Sequence, residues 1–147
     1  MLDRTLLLSL RPQFAEKVLD GTKKVEFRRT RPRVETQDLV IVYASTPVRA
    51  IVGAFRVKQV LERSPAALWK EVRQHAGITR SEFDQYYFGA PKGYGILLHS
   101  AIRLQEPVKL WRLRQLWPGF HPPQCYRYLD VHETRLILPL KNRSFNL

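Results

Sequence analysis

The run Gly21-Thr22-Lys23-Lys24-Val25-Glu26-Phe27-Arg28-Arg29 sets a turn glycine, two lysines, a carboxylate and paired arginines within nine residues. Lys23 sits among like charges, and cationic neighbours lower an ammonium pKa, one route to an amine that acts as nucleophile or general base. Glu26 is the matching proton carrier. The same run has a second reading as a charged, self-neutralising edge strand in which Glu26 balances Lys24 or Arg28. Other chemistries find little support in the spacing. His75, His99, His121 and His132 fall in no metal-ligand pattern, so neither a metal nor another cofactor is expected. No P-loop is present, Gly93-Tyr94-Gly95 lacks the further glycine of a dinucleotide fingerprint, and no Ser-His-Asp or Cys-His set can be composed from spacing.

The elements on either side must position that run. Pro12 can open a helix, Phe14, Ala15, Val18 and Leu19 give it an apolar stripe, and Gly21 ends it. Val25 and Phe27 then alternate with charges, the period of a strand, which puts Lys24, Glu26 and Arg28 on one face. Lys23 lies at the turn, where that rule fixes no direction. Leu6–Leu10 reads as a buried first strand. Leu39–Tyr43 and Ala50–Val57 read as a hairpin around Ala44-Ser45-Thr46-Pro47, with Gly53 marking a bulge or a close backbone approach. Ser64-Pro65 starts one short helix, Thr79-Arg80-Ser81-Glu82 has the form of a capping box for a second, and Gly77 separates them. Gly93–Leu98 resumes strand, which Ile102–Val108 continues. Leu110–Leu116 reads as helical turns, Pro118, Pro122 and Pro123 break the chain after it, and Thr134–Leu138 is expected as a last strand. The pattern is α+β: a small, partly closed β-barrel with peripheral helices.

The 147 residues suit a single domain spanning 1–147, and 44% hydrophobic residues supply its core. The formal net charge is +12, from 25 Lys and Arg against 13 Asp and Glu. An anionic partner follows, nucleic acid first and a membrane surface second, with an ordinary basic protein as the remaining alternative. Pro107–Leu129 holds no Asp or Glu, and its Arg112, Arg114 and Arg127 are interleaved with Trp111, Trp117, Phe120, Tyr126 and Tyr128. Such a stretch suits phosphate contact and base stacking, or else aromatics in a core with arginines facing solvent. Cys125 is the single cysteine, which excludes an intrachain disulfide and fits a reducing, cytoplasmic compartment. Leu6–Leu10 is too short to span a bilayer, so no membrane insertion is expected.

Several segments in register resemble the ASCH domain family of the PUA-like superfamily. They are Ser9-Leu10-Arg11-Pro12, Gly21-x-Lys23-x-x-Glu26-x-Arg28-Arg29, Val42-Tyr43-Ala44-Ser45-Thr46-Pro47, Ala50-Ile51-Val52-Gly53 and Pro122-Pro123-Gln124-Cys125-Tyr126-Arg127-Tyr128-Leu129. The resemblance implies a β-barrel with a cleft beside the first helix that binds RNA or a nucleotide-like ligand. Lys23, Glu26 and Arg28 would form its floor, with Ser9, Arg11, Tyr43, Ser45 and Gln124 as walls and Lys24 and Arg29 as further ligand contacts. One enzymatic branch deacetylates N4-acetylcytidine with a lysine after the turn, a threonine three positions on and a glutamate in a helical insert. Lys23 matches that lysine, Glu26 stands in place of the threonine, and the insert glutamate aligns near His75 or Ala76. Other members are described as ribonucleases, and a third reading is a protein-interaction module for an acidic partner.

Overall fold

The first strand, β1 (Thr5–Leu10), runs Thr-Leu-Leu-Leu-Ser-Leu with hardly a polar break. Such a run forms a stable strand only if both its faces are covered, and the structure, a computed structural model that describes residues 5–138, covers both. Leu6, Leu8 and Leu10 pack with Val40, Val42, Phe55, Val57, Ile96 and Leu98 on one face. Leu7 packs with Ile41, Tyr43, Ile51 and Ala54 on the other.

After β1 come helix α1 (Pro12–Leu19), β2 (Val25–Arg28), β3 (Leu39–Ala44) and β4 (Ala50–Arg63). An insert follows, made of α2 (Pro65–Val72), a 3-10 turn (Arg73–His75) and α3 (Arg80–Tyr86). The described residues continue with β5 (Gly93–Lys109), α4 (Leu110–Leu116), β6 (Tyr126–Leu129) and α5 (Val131–Ile137). The strands form one sheet in the order β2-β5-β4-β3-β1-β6. β1 and β3 are parallel, and the other neighbours are antiparallel. Three register shifts bend the long β4–β5 ribbon. The sheet curls until its two edge strands approach: Arg28, ending β2, donates to Cys125 Sγ at 2.6 Å, and the Tyr126 hydroxyl accepts from the backbone N–H of Arg33 at 3.4 Å. This is the expected α+β, PUA-like, partly closed barrel.

Ala15 and Val18 of α1 pack on the face of Leu6 and Leu8, while α4 and α5 cover the face of Leu7 through Leu110, Leu113 and Ile137. The insert folds over β2, packing Leu68, Val72, Phe83 and Tyr87 against Val25 and Phe27. Gly53 is the close approach its position suggested. A Cβ there would lie 2.3 Å from the carbonyl oxygen of Ile102 and 2.5 Å from Leu19 of α1.

The expected strand over Thr134–Leu138 is instead helix. Asp130 and Glu133 form a reciprocal capping box, and the Thr134 hydroxyl donates to the Asp130 carbonyl. The last strand among the described residues lies earlier, at Tyr126–Leu129, antiparallel to β1. Leu6–Leu10 belongs to the sheet, and no described helix is long and apolar enough to cross a membrane.

Candidate functional site

A cleft of about 1000 Å³ opens where β1, β2 and β3 end and α1 begins. Its floor and near wall come from Phe14, Glu26, Phe27 and Arg28, and its opposite walls from Tyr43, Ser45, Thr46, Arg49, Leu110, Arg114 and the Pro122–Gln124 segment. The insert closes one side with Glu82, Gln85 and Tyr86.

Antiparallel pairing of Glu26 with Ile96 turns the carboxylate to the interior face of the curled sheet. Glu26 is only 9% exposed, and its Oε2 is buried with no hydrogen-bond partner. The Nε of Arg28, two residues on, is in the same condition. Buried polar atoms are normally paired, so two orphans on one short strand mark a place that folding alone did not optimise. The reading of β2 as a solvated, self-neutralising edge is overturned: β2 is an edge strand, but its carboxylate is covered.

Lys23 lies behind this floor and is 3% exposed. Its Nζ donates to the carbonyl of Ala76 at 2.7 Å and stands 4.6 Å from the ring centre of Phe27 and 5.8 Å from that of Phe14. Burial pushes its pKa down to about 8, opposed by the attraction of Glu26 and helped to a lesser degree by Lys17. The expected depression is present but has a different cause. Desolvation dominates, and the cation that contributes is Lys17, whose Nζ is held by the Gly77 carbonyl at 2.8 Å. Lys23 does not line the cleft, whereas Phe14, Phe27, Glu26 and Glu82 around it do.

The remaining sequence candidates divide. Ser9, Arg11, Tyr43, Ser45 and Gln124 all line the cleft, as does Arg114. Ser9 also ties its wall together, its hydroxyl donating to the Pro123 carbonyl at 2.6 Å and its N–H to the Cys125 carbonyl at 3.0 Å. Tyr43 is buried, and burial raises its pKa. Lys24 is elsewhere, beside Lys58, His99 and Ser100 in a separate depression at the far end of α1. Arg29 is outside the cleft, its guanidinium donating to the carbonyls of Tyr86 and Phe88. Arg112 is exposed on α4 and donates to Gln115. Arg127 lies on the α5 side, paired with Glu133 at 2.9 Å and 5.0 Å from the Trp117 ring centre.

Sequence reasoning missed Arg49 and Glu82. Arg49 follows the Thr46-Pro47 turn with φ of 52°, a left-handed conformation uncommon for a large side chain. An arginine in a turn carries no periodic signal. Glu82 was legible only as a cap: it accepts from the Thr79 N–H at 2.9 Å, which holds its pKa low. It also lines the cleft and attracts Lys23. The insert therefore does present a carboxylate to this site, from α3 rather than near His75 or Ala76. Among the described residues, no three His, Cys, Asp or Glu side chains gather as a metal site.

The ASCH domain family matches residues 8–97 of the chain. A Zymomonas mobilis protein named ASCH domain-containing ribonuclease is 29% identical over 139 residues, which is 93% of this chain and 92% of that protein. The crystal structure of ASCH from Zymomonas mobilis superposes with a TM-score of 0.87 at 27% identity, covering 92% of this chain and 94% of that one. The N-terminal domain of Staphylothermus marinus McrB shares the fold alone, at 14% identity and a TM-score of 0.58 over 93% of this chain and 94% of that one. With 90 of its residues inside the family match (8 to 97 inclusive) and a barrel of the same shape, the chain belongs to the ASCH domain family.

Proposed function

We propose that this protein binds RNA in the cleft and cleaves it there. The observation that carries the reading is the lining itself. Arg11, Arg28, Arg49 and Arg114 arrive from four separate segments around a buried carboxylate, Glu26. Cations dispersed around one concave wall suit the successive phosphates of a strand. A carboxylate that lines the cleft suits proton abstraction from a ribose hydroxyl. In that step Glu26 takes the proton of a 2′-hydroxyl and the 2′-oxygen bonds to the adjacent phosphorus. The bond to the 5′-oxygen breaks, and that oxygen takes a proton from solvent, leaving a 2′,3′-cyclic phosphate. The arginines balance the charge that builds on the phosphate oxygens. Lys23, tied to Ala76, acts from behind as the fixed positive charge that Glu26 faces. The name of the Zymomonas relative supports RNA as the substrate class.

Deacetylation of N4-acetylcytidine is the second reading, and Glu82 at the cleft favours it by supplying an insert carboxylate. A fluorescence-anisotropy titration of single-stranded RNA across a salt series, with product analysis, separates the two. Four arginine contacts predict log affinity falling against log salt with a slope of about −3. Glu26→Gln should bind within a few-fold of the wild type and produce no cyclic phosphate. Salt-independent binding defeats the electrostatic cleft. Release of cytidine from N4-acetylcytidine without RNA cleavage favours the second reading.

A further inference from the structure

Most aromatics of the acid-free stretch are structural. Trp117 and Phe120 pack on each other with ring centres 5.3 Å apart against the core under α4, and Tyr126 and Tyr128 pack on the interior cluster. Trp111 differs: it stands 66% exposed on the first turn of α4. It borders a second depression of about 270 Å³ with Val48, Arg49, Lys109, Leu110 and Arg114. Three of these neighbours are cations and none is acidic. Arg49 and Arg114 also line the main cleft, so the two depressions meet at a shared cationic wall.

Backbone pairing fixes the arrangement. Ala50 pairs with Lys109, and the Leu110 N–H donates to the Arg49 carbonyl at 2.9 Å, which sets Arg49 beside the start of α4. Arg114 lies three residues after Trp111, on the same helix flank, and its Nε is held by the Phe120 carbonyl at 3.3 Å. An exposed indole ringed by positive charge matches a ligand that is flat and apolar on its face and anionic at its edge. A nucleobase joined to its phosphate has that form.

We propose that Trp111 is the stacking platform for an unpaired base next to the nucleotide held in the main cleft, with Arg49 and Arg114 on the phosphate between them and Lys109 beyond. This rests on the RNA reading and deepens it, because it requires a single strand of at least two nucleotides. Within a duplex each base is already stacked between its neighbours, which leaves no free face for an indole.

The test measures affinity for a nucleoside 3′-monophosphate, a single-stranded hexanucleotide RNA and a duplex RNA in wild type, Trp111→Ala and Trp111→Phe. Trp111→Ala should weaken the hexanucleotide roughly 10- to 100-fold and leave the monophosphate unchanged, while Trp111→Phe recovers most of the loss. The duplex should bind more weakly than the single strand in wild type and be insensitive to Trp111. Equal hexanucleotide affinity in wild type and Trp111→Ala overturns the platform and leaves the RNA reading standing. An equal loss for monophosphate and hexanucleotide overturns it too, since Trp111 would then belong to the main cleft. Failure of wild-type protein to bind any RNA overturns both.

Discussion

Lys23 carries an ammonium into a space walled by Phe14 and Phe27, where one carbonyl is its recorded hydrogen-bond partner. A pKa brought from 10.5 to about 8 means that folding disfavours its proton. Between pH 8 and 10.5 the unfolded chain binds the proton that the folded chain has released, so stability rises with pH across that window. The gain is roughly 3 kcal/mol at most. Tyr43 and Tyr87, whose pKa values burial raises, act the other way once unfolded tyrosines ionise above pH 10. Lys23→Met keeps the bulk and removes the charge. Its stability should equal or exceed that of the wild type at pH 7 and stay flat from pH 8 to 10, as chemical denaturation at several pH values would show. A position that stabilises the fold when its charge is deleted is held for another purpose, and RNA turnover should drop in the same variant. Lys23 and Glu26 were legible as a pair from a lysine two residues past a turn glycine. Their burial was not, because alternation along β2 says which face a side chain takes and nothing about what covers that face. For Lys23 the cover comes from Ala76 and Gly77, more than fifty positions further along.

At the scale of elements, the insert meets the turn between α1 and β2 most tightly at one glycine. Gly77 has φ of +67°, and a Cβ on it would stand 2.6 Å from Cβ of Lys23 and 2.8 Å from its Cγ. Gly77→Ala therefore meets two obstacles, the left-handed backbone and the lysine stem, and should cost about 2 kcal/mol or more. Gly21 is the control, with φ of +87° and nothing within 4 Å. Gly21→Ala should cost only the backbone share, about 1 kcal/mol. Thermal melts of the two variants isolate the contact with Lys23, and Gly77→Ala should also weaken RNA cleavage by moving that lysine. The elements that carry their own signals were legible: the Thr79 capping box, the stop at Gly21, the apolar runs of β1, β3 and β4. The last helix was not, although Asp130-x-x-Glu133 is itself a capping signal, because the β-branched and apolar residues from Thr134 onward suit a strand equally well. What decided it was the pairing of Tyr126–Leu129 with β1, a contact across almost the whole chain.

Across the whole molecule, the excess charge of +12 is unevenly used. Arg112 and Arg127 are engaged by neighbours in sequence, Gln115 and Glu133, whereas Arg11, Arg28, Arg49 and Arg114 converge on one concavity. One wall of that concavity joins parts of the chain that lie far apart in sequence. The Ser9 hydroxyl meets Pro123 from 114 positions away, and β6 completes the barrel beside the first strand. Contacts so distant along the chain form slowly, because a long loop must close before they return any energy. Leu129→Ala should thus speed unfolding several-fold while leaving the refolding rate nearly unchanged, which stopped-flow measurement in both directions would show. During synthesis the amino-terminal strand leaves the ribosome long before its outer neighbour exists. A nascent chain consequently carries Arg11, Arg28 and Arg49 before Tyr126–Leu129 has docked beside β1 and completed the wall opposite them. The cleft proposed to hold RNA would therefore be complete only in the finished fold, and a growing chain would not yet offer it.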